Sequence, residues 1–369
     1  MKAAFRTGAE KAVPVFRGGR SAGMEKRKRR DANTIRESGE MRSSFVDLQV
    51  NGFLGIDFSR TDLSVGKVLS VADELEKRGT GAFLATVITS SMEIYRHVLP
   101  VLADASEEPA LRGRLLGIHL EGPFISPEPG ALGAHPLQAV REPSPALFDE
   151  LYGLARGKVR LLTVAPERPG AETLIAHARE TGVTVSVGHS LAEDEDVARA
   201  IAVGATLSTH LGNGIPNLLN RHGNPVYAQL ASSLRPMLIS DGHHVPRSFL
   251  KIVLGLKGIS RTVITSDSAP VAGLPEGEYE IFGTRVRVCP DGAIRNLNAP
   301  TLAGSSAVML DCLNFLAGLF PSFSEEDFWR LGRDNPLEAV GMSSIAVSLP
   351  RNVGFENGRF LAAGCLKAG

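Results

Sequence analysis

The sequence predicts an α/β protein folded as a TIM-like (β/α)8 barrel. Three observations carry that prediction. Short apolar runs recur from Phe45 onward and are mostly continuous rather than alternating, as parallel strands buried on both faces are. Amphipathic stretches of helical period separate them, and the order strand, helix, strand, helix implies right-handed crossovers. Eight such units fill about 220–260 residues, the size of a closed barrel. A doubly wound open sheet uses fewer strands, and no glycine-rich dinucleotide turn follows the first run.

The expected strands are Phe45–Val50, Ala82–Val87, Leu115–Leu120, Arg160–Val164, Val183–Val187, Ala205–Thr209, Pro236–Ser240 and Thr262–Thr265. Helical segments such as Leu63–Arg78, Ser91–Ala105, Glu172–Thr181 and Glu193–Val203 fall between them. Six strand ends carry imidazole, carboxylate or amide groups. These are Gln49 and Asn51, His119 and Glu121, His189, His210, Asp241 with His243 and His244, and Asp267. In a β/α barrel the carboxyl ends of the strands form one face, where active sites are built.

Composition limits the function classes. Forty basic side chains balance forty acidic ones in 369 residues, so no global field points to nucleic acid or a membrane surface. No apolar run reaches the roughly 18 residues of a membrane helix. Cys289, Cys312 and Cys365 are scattered, with no CxxC pair, which suits a reducing cytoplasm and a metal site without thiolates. Residues 1–42 hold Arg17, Arg20 and the run Lys26-Arg27-Lys28-Arg29-Arg30 with little apolar periodicity. They are expected to be a disordered basic leader. The barrel is expected over 43–345 and a short tail over 346–369.

His189 and His210 follow two consecutive apolar strands. Neutral imidazole and carboxylate are usual zinc ligands. With Glu121 they make three protein ligands and leave a position open for water, the pattern of a catalytic site. Asp267, closing the last strand, is the expected general base: a bound metal lowers the pKa of water from about 15.7 toward about 7, and a carboxylate beside it takes the proton. Gln49 and Asn51 occupy a place where many two-metal barrel hydrolases carry His-x-His. Amides are poor ligands for a transition metal, so one divalent ion is expected, zinc first, with iron, manganese and cobalt also chemically acceptable. His119, two residues before Glu121, shares its side of the strand and is expected to support the site. His97 and His177 fall in helices and are expected at the surface; His222 lies in a loop and has no assigned role.

These segments resemble the N-acetylglucosamine-6-phosphate deacetylase family of the amidohydrolase superfamily. The matching pieces are Val46-Asp47-Leu48-Gln49-Val50-Asn51-Gly52, Gly117-Ile118-His119-Leu120-Glu121-Gly122-Pro123-Phe124 and Gly133-Ala134-His135-Pro136. Gly188-His189-Ser190, Thr209-His210-Leu211-x-Asn213, Asp241-Gly242-x-His244-Val245 and Leu302-Ala303-Gly304-Ser305 continue in family order. The resemblance implies metal binding by Glu121, His189 and His210, and acid/base catalysis by Asp267. It implies substrate contacts at Ala134, His135, Asn213, Gly214, Arg221, His244, Ala303 and Gly304, with Arg221 reaching the site of a neighbouring subunit in a homodimer. The implied reaction releases acetate from the sugar phosphate.

Departures from the family pattern fall on the substrate side. Gly212 and Gly214 stand where the family has a larger residue and alanine, Ser268 replaces alanine, and His222-Gly223-Asn224-Pro225 replaces a Pro-Gly pattern. The accessory β-sandwich is expected to be missing or vestigial. Two further readings are an amidohydrolase for another N-acyl amino sugar or cyclic amide, and a non-catalytic sugar-phosphate-binding barrel. A nucleic-acid binder rests on the basic leader alone.

Overall fold

The computed structural model describes residues 41–363. The expected leader therefore falls almost wholly outside the described residues. All eight expected barrel strands are present: β1 (Phe45–Val50), β2 (Thr80–Ile88), β3 (Leu115–Glu121), β4 (Val159–Val164), β5 (Thr184–Val187), β6 (Ala205–Ser208), β7 (Arg235–Ile239) and β8 (Val263–Thr265). They pair in parallel in chain order. Helices α1 (Val65–Lys77), α2 (Met92–Glu107), α3 (Pro145–Leu154), α4 (Ala171–Glu180), α5 (Asp194–Ala202), α6 (Pro225–Ala231), α7 (Arg247–Lys257) and α8 (Met309–Leu319) alternate with the strands. Several start where sequence chemistry starts a helix. Ser64, Ser91, Ser144 and Asn224 cap α1, α2, α3 and α6 by accepting from backbone N–H groups one turn in, each cap contributing about 1 kcal/mol. On α1, Val68, Val71, Ala72 and Leu75 form the buried stripe that packs on the outer face of the strands.

Side chains close the barrel as much as the backbone does. Between β1 and β8 the backbone contributes a bridge from Val50 to Ser268 and the bond Asn51 N–H to Ser268 O, 2.8 Å. Asp47 of β1 adds a cluster of side-chain bonds. Its buried carboxylate accepts from Thr265 Oγ1 (2.6 Å), Ser266 N (3.1 Å) and Ser266 Oγ, and also from Gln49 N (3.2 Å). Burial raises its pKa and these four donors oppose the rise.

Alternation along the strands fills the interior in layers. Val46, Ala82, Leu84, Leu161, Leu207, Met237 and Val263 form an apolar floor with Leu337 and Val340. Above it lies a buried hydroxyl layer: Thr86, Thr163, Ser186 and Thr209 surround His119. The metal-ligand candidates stand above that, at the carboxyl ends of the strands.

Two additions complete the fold. After β8 an arm of three antiparallel strands, β9 (Gly277–Ile281), β10 (Thr284–Val288) and β11 (Ile294–Asn296), turns at Phe282 and Gly283. Both turn residues have positive φ, 55° and 72°, as a two-residue turn matched to strand twist requires. The sequence reading did not anticipate this arm. Arg42–Ser43 pairs with β12 (Arg351–Glu356), which pairs with β13 (Arg359–Ala362). This small sheet is what represents the accessory domain among the described residues. It is held to the barrel by Phe45, Trp329 and Phe360, whose rings stack or meet edge-on at 4.7–5.4 Å. Among the described residues no helix is long and apolar enough to cross a membrane.

Candidate active site and metal centre

Glu121 ends β3, and His189 and His210 follow β5 and β6. Their ligand atoms lie within 4.8 Å of one another, and all three residues are buried. His189 Nε2 is 3.2 Å and His210 Nε2 2.9 Å from Glu121 Oε1, and the two Nε2 atoms are 3.1 Å apart. His189 Nδ1 lies 2.7 Å from Ala131 O. A carbonyl only accepts, so Nδ1 carries the proton and Nε2 presents a lone pair. A lone pair facing a carboxylate oxygen at 3.2 Å is repulsive unless a cation lies between them. The donor set therefore fits a divalent ion.

The backbone aims these groups. His189, His210 and Asp267 have φ of 49°, 26° and 53°, in the left-handed region that costs non-glycine residues of order 1–3 kcal/mol. Each turns sharply off its strand end, so the side chain returns over the barrel mouth. Nearby, Gly214 has φ 60°, and a Cβ there would lie 2.9 Å from His189 Nδ1. The glycine lets the loop after β6 lie directly on the imidazole.

Asp267 faces the metal group from β8. Burial first, then the Glu121 charge, push its carboxyl up to about 7, with His210, His244 and the Asn51 bond acting the other way. Gln49 and Asn51 reach in from β1. Gln49 Nε2 donates to Glu121 Oε1 (2.8 Å) and Asn51 Nδ2 donates to Asp267 Oδ1 (2.8 Å). One amide thus holds the carboxylate ligand and the other holds the base candidate.

His119 lies under this group. Nδ1 donates to Leu48 O (3.2 Å), and Nε2 accepts from Thr163 Oγ1 (2.8 Å), which adjoins Thr209 Oγ1 at 2.8 Å. Its bonds go to the hydroxyl layer rather than to Glu121, so its support is from below. Burial lowers its pKa to about 4, and the ring is neutral. His135 sits beside the metal group, its Nε2 3.9 Å from Glu121 and its ring 4.3 Å from that of His189. Thr89 N–H donates to His135 Nδ1 (3.3 Å). The proton therefore sits on Nε2, which faces the site. Burial lowers His135 to about 3, so it is a neutral donor.

A cavity of about 480 Å³ opens over these groups. Ala134, His135, Asn213, Gly214, His244 and Gly304 line it with Asn51, Glu121, His189, His210 and Asp267. Two expected substrate residues are elsewhere. Ala303 is buried in the cluster under the arm, and Arg221 is exposed on the loop before α6, outside the cavity lining. His222 is exposed too; His97 and His177 are half-buried on α2 and α4, the latter bonded to Asp149. The sequence reading missed three contributors. Phe282, at the tip of the arm, walls the cavity. Thr89 fixes the His135 tautomer. Glu167 accepts from Ser190 Oγ and Leu191 N, both at 2.7 Å, and so braces the turn that carries His189. A carboxylate three residues past a strand end, at Glu167, was the one available signal.

The chain is 34% identical over 350 residues to N-acetylglucosamine-6-phosphate deacetylase of Rattus norvegicus, covering 90% of this chain and 83% of that protein. It is 31% identical over 301 residues to the Bacillus subtilis deacetylase of the same name, covering 80% and 74%. The chain belongs to the N-acetylglucosamine-6-phosphate deacetylase family. Structural similarity agrees. A solved deacetylase of this family from Mycobacterium smegmatis, an Asp-to-Ala variant in complex with N-acetyl-D-glucosamine-6-phosphate, superposes with a TM-score of 0.77 at 26% identity, covering 88% of this chain and 86% of that one. The Thermotoga maritima deacetylase gives 0.75 at 26% identity over 89% and 90%. No protein-family model matches the chain.

Proposed function

We propose that this protein is a metal-dependent amide hydrolase that converts N-acetylglucosamine-6-phosphate to glucosamine-6-phosphate and acetate. The observation that carries this reading is the convergence of Glu121, His189 and His210 at 2.9–3.2 Å with Asp267 across the same cavity. It is supported by the family to which the chain belongs.

Glu121, His189 and His210 hold one divalent ion; zinc suits the ligands best, and iron, manganese and cobalt are also accepted by them. When bound, such an ion activates a water at neutral pH and polarises the amide carbonyl. Asp267 takes the proton from the attacking water and gives it to the departing amine. Asn51 fixes the carboxylate during both transfers. His135, with its proton on Nε2, donates to the carbonyl oxygen as negative charge develops there. Asn213, Gly214 and Gly304 hold the sugar, and His244 holds the phosphate. Arg221, exposed and outside its own cavity, completes the phosphate site of a second copy, which makes the working unit a homodimer. The cytoplasm is the proposed location.

Acetate release from N-acetylglucosamine-6-phosphate and from the unphosphorylated sugar, with and without a chelator, tests this reading. Chelator-sensitive release from the phosphorylated sugar is expected. No release from metal-loaded protein would reject the deacetylase reading and leave a non-catalytic barrel or a different amide.

A further inference from the structure

Asp241, at the end of β7, is tied to His244 rather than to the cavity. Its Oδ1 accepts from His243 N (2.9 Å) and His244 N (3.0 Å), and its Oδ2 lies 2.7 Å from His244 Nδ1. The two side chains are 3% and 6% exposed. Gly242 makes this turn possible. Its φ is 86°, and a Cβ there would meet the Phe315 ring at 2.7 Å. Asp241 itself does not line the metal cavity, whereas His244 does.

The chemistry of the pair is one-sided. A carboxylate that accepts two backbone N–H bonds and a third from Nδ1 keeps that nitrogen protonated. The Nε2 edge is what His244 has left for the cavity. An imidazole held in place suits a dianionic phosphate; a neutral sugar hydroxyl gains far less from it.

We infer that Asp241 is a positioning residue for phosphate recognition: by accepting from Nδ1 it fixes the His244 ring with its Nε2 edge toward the sugar phosphate. This inference rests on the deacetylase reading above. Asp241 acts through His244 alone and sets the preference for the phosphorylated over the unphosphorylated sugar. The hold on Asp241 shows in its own acidity, which burial opposes and the His244 bond lowers to about 2.

The test compares kcat/KM on N-acetylglucosamine-6-phosphate and on N-acetylglucosamine, in metal-loaded full-length protein. In Asp241→Asn the amide can still accept the two backbone bonds, but its NH2 faces Nδ1 in place of an acceptor, so the ring loses the anchor that aims Nε2 at the phosphate. The phosphorylated-to-unphosphorylated ratio is expected to fall about tenfold or more, the value of one charge-assisted bond, through KM rather than kcat. His244→Gln should lower the ratio similarly, and the double variant no further than either single one. An unchanged ratio in Asp241→Asn overturns the inference. So does a parallel loss on both sugars through kcat, which marks a general fault in the fold. Equal rates on both sugars in the wild-type protein would overturn the parent reading instead, and that failure is visible before any variant is made.

Discussion

Asn51 Nδ2 donates to Asp267 Oδ1 across 2.8 Å, from the end of the first barrel strand to the end of the last. The bond leaves Asp267 Oδ2 to meet a water, and it sets the direction of the proton transfer. Replacing Asn51 by leucine removes the donor from a buried carboxylate. Turnover is expected to fall about 10- to 100-fold with KM and metal content near wild type. Steady-state kinetics with metal analysis on the same sample check this; an unaltered kcat would reduce Asn51 to a turn residue.

As the proposed base, Asp267 is expected to carry the larger share of the chemistry. Asp267→Asn keeps the shape and the Asn51 contact but cannot take a proton. It should bind metal normally and lose about 10²–10⁴-fold in kcat. Full activity in that variant removes Asp267 as the base.

The amides at 49 and 51 give their NH2 groups to Glu121 and Asp267, and an amide oxygen is a poor ligand for a second transition metal. Elemental analysis should find one ion per chain. Stripping that ion leaves the His189 lone pair facing Glu121 at 3.2 Å. Chelation should therefore lower the melting temperature, and metal re-addition should restore it, by about 4 kcal/mol at a thousandfold excess over Kd. Two ions per chain would contradict the single-site arrangement.

Asp57 gives a pH signature. It is buried and its carboxyl is raised by burial from 3.8 to about 6, against a bond from Ser59 N. A raised carboxyl favours the fold when protonated, so its contribution is complete below about pH 4 and is lost as pH rises through 6. Asp57→Asn keeps the Ser59 bond and escapes that loss. Its stability relative to wild type should be flat below about pH 3, grow between about pH 4 and 6, and level off up to about 3 kcal/mol higher by pH 7–8, read from denaturant melts across pH. A difference that stays constant with pH would show that Asp57 does not titrate in this range.

Arg221 lies outside its own cavity. If it serves a second copy, the Arg221→Ala and Asp267→Asn proteins are each weak, and mixing them should restore turnover above either alone. One site in the mixed dimer then has both residues. Mixing without gain would place Arg221 outside the chemistry of either copy.

Much of this was legible in the sequence, for physical reasons. A buried parallel strand needs an unbroken apolar run, so the eight barrel strands stood out. Glu121, His189, His210 and Asp267 stood out because a charged or imidazole group at the end of an apolar strand has few structural reasons to be there. The arm was illegible because its strands are half-exposed and its turn, Phe282-Gly283, lacks the usual Asn-Gly or Asp-Gly signal. The bonds between Asn51 and Asp267, or Thr89 and His135, join residues 216 and 46 positions apart. Such pairs are set by barrel closure, and no local pattern encodes them. The positive φ of His189, His210 and Asp267 runs against what those residue types prefer.

Asp47 ties β1 to β8 through Thr265 and Ser266. The same strand delivers Gln49 to Glu121 and Asn51 to Asp267. If β1 parts from β8, the base loses its partner and the carboxylate ligand loses its brace in one motion. Breathing at this seam is thus a switch-off: amide exchange along β1 and loss of turnover should rise together under mild destabilisation, before the outer helices loosen.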